Sequence, residues 1–386
     1  MIDLPVFRLE AFFSKWDPLL KYNIAQSDAE TMTVAEILAL GTDEDRAAFQ
    51  DLRLGYPLGW GADGLRQAVA STYEMVDWEH VLCFSGAEEA IFWSMEELLE
   101  PDDHAIVTVP NYQSMESVAI ATGAEVTGVM LDRDNEWALD LDDVRAALRP
   151  NTKLIGVNFP NNPTGAVIDE ATWRALVELC EERGILLFSD EVYRGLEVEG
   201  SRPLPQAADL SPRALSLNVM SKAYGLSGLR IGWLACRDHA LLERLERRKH
   251  YTTICNAGPS EFLSTIVLKS ADKVRARNQA IIAENLPPFR ELFVDRWGEL
   301  FEWKRPQGGC VSFPRYLGKE GAEQFCRTLL EQEGVCLLPP SIYVSALCDV
   351  PSDHFRIGVG HRDPGPALEV LDRFLRRAPS ASVNRI

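Results

Sequence analysis

The stretch NVMSKAYGLSGLRIGW, residues 218–233, sets one lysine among small, apolar and aromatic neighbours, with an arginine eight residues further on. Lys222 is either an accident of the surface or a nucleophile. Gly225 and Gly228 let the chain turn tightly behind it. Arg230 then opens another apolar run, RIGWLAC (230–236). What surrounds this stretch decides between the two readings.

Working outward, short apolar runs alternate with amphipathic ones from about residue 64. GLRQAVASTYEMV (64–76), GAEEAIFWSMEELLE (86–100) and ATWRALVELCEERG (171–184) have the spacing of helices, the last with a terminal glycine. HVLCF (80–84), HAIVTVP (104–110), TKLIGVNFP (152–160), ILLFSD (185–190), ALSLNVM (214–220) and RIGWLAC read as strands. They are near-continuous apolar runs rather than alternating ones, as a sheet covered by helices on both faces requires. The middle of the chain is therefore an open α/β domain, placed at 46–270. Beyond it the texture changes. ADKVRARNQAIIAENLPPFRELFVDRW (271–297) predicts a long helix, broken near Pro287 and Pro288. GGCVSFPRY (308–316), a helix at 320–333, VCLLP (335–339), HFRIGVG (354–360) and a final helix follow. Residues 271–386 read as a smaller α+β domain, with the segment 1–45 packed against it.

Open α/β sheets bind ligands beyond the carboxyl ends of their strands. After HVLCF comes SGAEEA (85–90), where Gly86 lets the backbone turn and the amides of Ala87 and Glu88 open a helix, a seat for a phosphate. Glu88 and Glu89 suit a helix start but would repel an anion. Asn111 and Tyr112 follow the next strand, and NFPNNPTG (158–165), rich in turn formers, ends another. SDEVY (189–193) places Asp190 at a strand end with Tyr193 close behind. Ser221 and Lys222 follow the next, and Arg230 comes last. Each is weak alone, because an acidic pair at a strand end is usually just solvated and a glycine after a strand is usually just a turn. Together they supply what pyridoxal phosphate requires: a lysine for its Schiff base, an acid for its pyridinium nitrogen, donors for its ring oxygen and a cradle for its phosphate.

NFPNNPTG, SDEVY, MSKAYGLSGLRIGW and FRIGVG (355–360), in this order and spacing, resemble the class I/II aminotransferases, pyridoxal-phosphate enzymes of fold type I. The likeness runs from about residue 50 to residue 375. It implies a large domain with a mostly parallel seven-stranded sheet. It also implies roles. Lys222 holds the cofactor and, once freed, moves the proton between Cα and C4′. Asp190 keeps the pyridine nitrogen protonated. Asn162 and Tyr193 bond the ring oxygen, and Tyr112 stacks on the ring. Arg230 and Ser221, with the amides at Gly86, Ala87 and Glu88, hold the phosphate. Arg356 clamps the substrate carboxylate, with Asn162 beside it. Tyr56, in YPLGWGADGLR (56–66), reaches the phosphate of a neighbouring subunit, which implies a homodimer with shared sites. Three positions depart from the pattern. Val219 stands where the family often has a hydroxyl, LPPSIYV (338–344) lacks a usual glycine, and YNIAQSDAETMTV (22–34) lacks the glycine-rich substrate loop. This last stretch, with PQGGCVSFPRY (306–316), is similar to a subgroup near capreomycidine synthase. That likeness raises a role for Asp28 or Glu30 in meeting a cationic substrate side chain; the blander alternative is two solvated loop acids.

The activity implied is transfer of an amino group from an amino acid to a 2-oxo acid. A lyase or cyclase working by β- or γ-elimination shares the same residues and stays open. A non-catalytic ligand-binding module, as in regulators, would need a DNA-binding segment, which this sequence does not show. A net charge of −19 over 386 residues disfavours nucleic acid and anionic membranes as partners. The N-terminus lacks the basic start and apolar core of a secretory signal. Eight scattered cysteines form no Cys-x-x-Cys pair, so no metal is expected and a reducing cytoplasm fits.

Overall fold

The computed structural model describes residues 3–198 and 202–377. At its centre lie seven strands: β1 (Val81–Phe84), β2 (His104–Val109), β3 (Glu125–Met130), β4 (Thr152–Asn158), β5 (Leu186–Asp190), β6 (Ala214–Val219) and β7 (Gly232–Ala235). They pair in the order β1-β7-β6-β5-β4-β2-β3. All pairings are parallel except those of β7, which runs antiparallel to both β1 and β6. The sheet is thus mostly parallel, α/β, and of the fold-type-I form.

Six of the seven strands are the apolar runs of the sequence. The exception is β3, whose EVTGVM carries Glu, Thr and Gly and is mostly half-exposed. It lies at the sheet edge, where one flank has no neighbour to exclude water, so no continuous apolar run is needed. The register matters for function. Asn158 pairs with Asp190, and Asp190 with Leu217, so the carboxyl ends of β4, β5 and β6 finish level. The reversal of β7 carries the chain out past Lys222 and back, pairing Val219 with Gly232. Arg230 itself is not in the strand; it sits just before it in the left-handed region, φ 52°.

Two helical readings are corrected. The helix expected over 64–76 spans Asp63–Ala70 and stops before the polar Ser71-Thr72. The long C-terminal helix is not broken at its prolines. Ala271–Arg290 runs through Pro287 and Pro288, then widens into a π-helical stretch, Glu291–Arg296. The widened turn follows the two residues that lack an amide hydrogen, where the regular ladder cannot be kept.

The N-terminal segment divides its contacts. Tyr22–Asn23 pairs in parallel with Val335–Cys336, and the Gly358 amide donates to the Ile24 carbonyl over 2.8 Å. Helices Val34–Leu40 and Asp43–Gln50 pack instead on Gly258–Lys269. Both carry capping boxes, from Thr33 with Glu36 and from Thr42 with Asp45. Between these anchors, residues 25–30 cross the open end of the sheet.

Candidate active site

The site grows from β1 and β7. Gly86 adopts φ 87°, and a side chain there would overlap the Arg230 guanidinium. The glycine is what allows the arginine to lie against the start of helix Ala87–Leu98. That helix has no side-chain cap, so its first amides remain available to a ligand. Arg230 Nη1 also lies 3.4 Å from Ser221 Oγ. Three donor groups from three segments converge on one point, the arrangement an oxyanion group requires. The repulsion expected from the acids is relieved in the fold. Burial pushes the Glu88 carboxyl up, and it faces Ser114 and Tyr112. Glu89 turns back to accept from the Ser85 amide over 2.7 Å.

Lys222 lies beyond β6. Its Nζ donates to Ser27 Oγ over 2.8 Å. Burial lowers its affinity for a proton, partly offset by the nearby carboxylate of Asp28. Asp190, buried at 5 % exposure, ends β5. Desolvation pushes its carboxyl up to about 7, against the Val192 amide and the Lys222 ammonium, which favour the anion. The Val192 amide donates to Asp190 Oδ1 over 3.2 Å. Tyr193 is fully buried and donates its hydroxyl to the Ser27 carbonyl over 2.8 Å. Arg356 is buried at 1 % exposure. It donates to Asn162 Oδ1 over 3.0 Å and to the Ala25 carbonyl over 2.8 Å, while its Nε has no partner among the described residues. A buried guanidinium with an unmet donor is prepared for an anionic ligand. The Tyr112 ring packs against Phe7, with centroids 5.4 Å apart.

All these residues gather at one end of the sheet. Tyr56 does not join them. It is 90 % exposed on a loop away from this cluster. Three further participants carry no local motif: Ser27, Cys310 and His361. Ser27 touches both Lys222 and Tyr193. Cys310 is buried close enough to Asp28 and Lys222 for their charges to act on its thiol. His361 Nε2 lies 3.0 Å from Asp28 Oδ1, and its Nδ1 lies 3.7 Å from Glu30 Oε2. Asp28 and Glu30 are therefore not solvated loop acids. They are partly buried and bracket one imidazole; burial disfavours its charged form, yet the Asp28 bond and the two carboxylate charges outweigh that and hold it more basic than usual. Only the pairing of distant segments, 27–30 with 358–361, brings His361 to them.

The family model for aminotransferase class I and II matches residues 20–374. Capreomycidine synthase from Streptomyces vinaceus is 31% identical over 372 residues, 95% of this chain and 92% of that protein. The arginine–pyruvate transaminase AruH of Pseudomonas aeruginosa is 35% identical over 310 residues, 78% of this chain and 76% of its own. Among solved structures, a PLP-dependent aminotransferase from Streptococcus suis 89-1591 superposes with a TM-score of 0.89 at 30% identity, covering 97% of this chain and 98% of that one. The chain belongs to the class I and II aminotransferases and is a pyridoxal-phosphate enzyme. The residues present fit that cofactor. The uncapped helix start, the Gly86 cradle under Arg230, a lysine of lowered basicity and a buried acid at a strand end are its binding chemistry. Among the described residues, no helix is long and apolar enough to cross a membrane, and no group of three or more His, Cys, Asp or Glu is placed to hold a metal.

Proposed function

We propose that the protein is an aminotransferase whose amino donor carries a cationic side chain, with a 2-oxo acid as acceptor. The observation that carries this is Asp28. Its carboxylate is held beside Lys222, with His361 as its ion-pair partner. Burial disfavours the anion, yet the His361 bond and charge and the Lys222 charge outweigh it and keep the carboxyl ionised. An anion kept at the lysine suits a guanidinium or ammonium. The relative that acts on arginine supports the same choice.

Pyridoxal phosphate, when bound, supplies a carbonyl carbon for the amine and a sink for the electrons left at Cα. Gly86, Ala87, Glu88, Ser221 and Arg230 would hold its phosphate, Asp190 its ring nitrogen, and Asn162 and Tyr193 its ring oxygen. Tyr112 would flank the ring, and Tyr56 would serve a second subunit's site in a homodimer. Arg356 takes the substrate carboxylate with its free donor and is kept in place by Asn162 and Ala25. Lys222, less basic than a free lysine, is the group able to take the Cα proton on Nζ at neutral pH. Ser27 and Tyr193 tie the crossing segment 25–30 beside that amine.

Two results test this reading. Asp28→Asn should raise KM for arginine about tenfold or more, leaving KM for leucine within a factor of two, since one desolvated ion pair is lost. Equal changes for both substrates would sink the cationic-donor assignment. Arg356→Lys keeps the charge but loses the planar fork, so KM for every amino donor should rise about tenfold with kcat little changed. Steady-state kinetics over a donor panel reads both. A second reading, elimination and ring closure, is favoured by one observation. The likeness to capreomycidine synthase extends over 95% of this chain, so it includes most of the N-terminal region. With no 2-oxo acid present, a transaminase stops after one equivalent of product, whereas a lyase or cyclase continues.

A further inference from the structure

Lys249 ends helix His239–Lys249 and is completely buried. The run ERRK that carries it reads as a solvated helix end, yet its ammonium reaches no water. Nζ donates to the Gly59 carbonyl over 2.6 Å and to the Cys83 carbonyl over 2.7 Å. The Phe84 ring lies 5.9 Å away. Burying a cation is costly, and the charges of nearby Glu89 and Glu261 offset that cost only in part, so the two carbonyls that accept from it are informative.

Cys83 lies in β1, three residues before Gly86. Gly59 lies at the base of the loop that carries the exposed Tyr56. The same region is fastened by further bonds. The Cys83 amide donates to the Trp60 carbonyl over 2.9 Å. Gly61 has φ 105°, and a side chain there would strike Cys83 Sγ. Buried Glu261 accepts from the Ala62 amide over 3.1 Å and from Asn256 over 3.0 Å. Just past Lys249, Thr252 and Thr253 donate to Glu89, which itself accepts from the Ser85 amide. The turn 249–253 thus grips the end of β1 on both sides of Phe84, at Cys83 directly and at Ser85 through Glu89.

We infer that Lys249 is a positioning residue for the cofactor's phosphate end: its ammonium locks the base of the Tyr56 loop to the strand that presents Ser85–Glu88. It touches neither cofactor nor substrate. The inference rests on the reading of Gly86–Glu88, Ser221 and Arg230 as the phosphate seat.

The discriminating probe is the pair pyridoxal phosphate and pyridoxal, titrated into cofactor-free protein. For Lys249→Met, affinity for pyridoxal phosphate should fall about tenfold or more, as expected when buried carbonyls lose their donor. Affinity for pyridoxal, which has no phosphate, should change by less than about twofold. A merely structural defect lowers both together, and that result, or no change in either, overturns the proposal. Arg230→Gln is the control. If it too leaves the preference for the phosphorylated form intact, the seat itself is misplaced and the proposal falls with it. If Arg230→Gln loses that preference and Lys249→Met keeps it, only the role of Lys249 fails. Should Lys249→Met not fold, hydrogen exchange on the wild-type protein decides. Cofactor binding should slow exchange at the Gly61, Ala62 and Cys83 amides along with Ala87 and Glu88, although the first three lie outside the seat. Protection confined to Ala87 and Glu88 would contradict the coupling.

Discussion

Lys222→Ala should lower turnover by about 10⁴-fold, the upper range for loss of a positioned general base, while leaving the cofactor-free protein folded. Among the described residues Lys222 Nζ has one hydrogen-bond partner, Ser27 Oγ, and it sits where burial depresses its basicity. Val219 and Met220, both buried just before it, remain to pack the end of β6. The variant should also lose covalent attachment of the cofactor, read as release of the cofactor on denaturation after borohydride reduction, which fixes it to the wild type, and as absence of the reduced adduct's mass. The two losses can be separated. Added methylamine restores part of the rate if the missing group is a base at Cα, since a small amine can enter the space the side chain leaves. Lys222→Arg should gain nothing from methylamine, because its guanidinium fills that space and does not give up its proton. Turnover within tenfold of wild type for Lys222→Ala would remove the lysine from the mechanism.

Much of this site was legible in the sequence because its parts follow strands. Asp190, Lys222 and Arg230 each stand within a few residues of an apolar run, and the rule that ligands gather at the carboxyl ends of parallel strands brings them together without coordinates. Six strands announced themselves because both faces are covered. The edge strand β3 did not, because half-exposed Thr127 and Gly128 break the apolar run. Ser27 and His361 escaped for a different reason, and Asp28 was raised only by a resemblance. They enter the site from segments joined by single bonds, such as the Glu30 amide to the Gly360 carbonyl over 2.9 Å, and a pairing that short leaves no periodicity to read. Lys249 was hidden by its neighbours. Arg247 and Arg248 beside it carry the pattern of an exposed helix end, and only the approach of Gly59 and Cys83 distinguishes the third cation. The proline pair misled because Pro287 and Pro288 are tolerated within Ala271–Arg290, which passes into the π-helical stretch instead of ending.

Asp190→Asn should lower turnover by about 10³-fold, on the scale of losing one preorganised electrostatic partner, and at the same time make the cofactor-free protein more stable above pH 7. Both effects follow from one carboxyl. Burial pushes Asp190 from its usual 3.8 up to about 7, and the nearby Glu88 adds to the rise. A folded-state value above the unfolded one means that the native protein holds the proton more tightly. The resulting stability is fully present below about pH 4 and is lost as pH rises through 7. At about 1.4 kcal/mol per unit, a three-unit rise corresponds to at most about 4 kcal/mol. Asparagine reproduces the neutral form at every pH and should remove this loss. Glu191, buried next to it and bonded to Ser216 and the Ala207 amide, is also raised to about 7. It titrates with the same sign, as do Glu88, Glu197 and Glu261, whose carboxyls burial also pushes up, so the variant should lose one carboxyl's share of the wild-type slope and keep the rest. Denaturant melts of cofactor-free protein at pH 5, 6, 7 and 8 read this directly. Parallel curves for wild type and variant would show that Asp190 is ionised without the cofactor and that its burial is compensated within the protein. A reduced slope, with activity lost, would show a carboxyl whose ionisation destabilises the empty fold and which the reaction nevertheless needs.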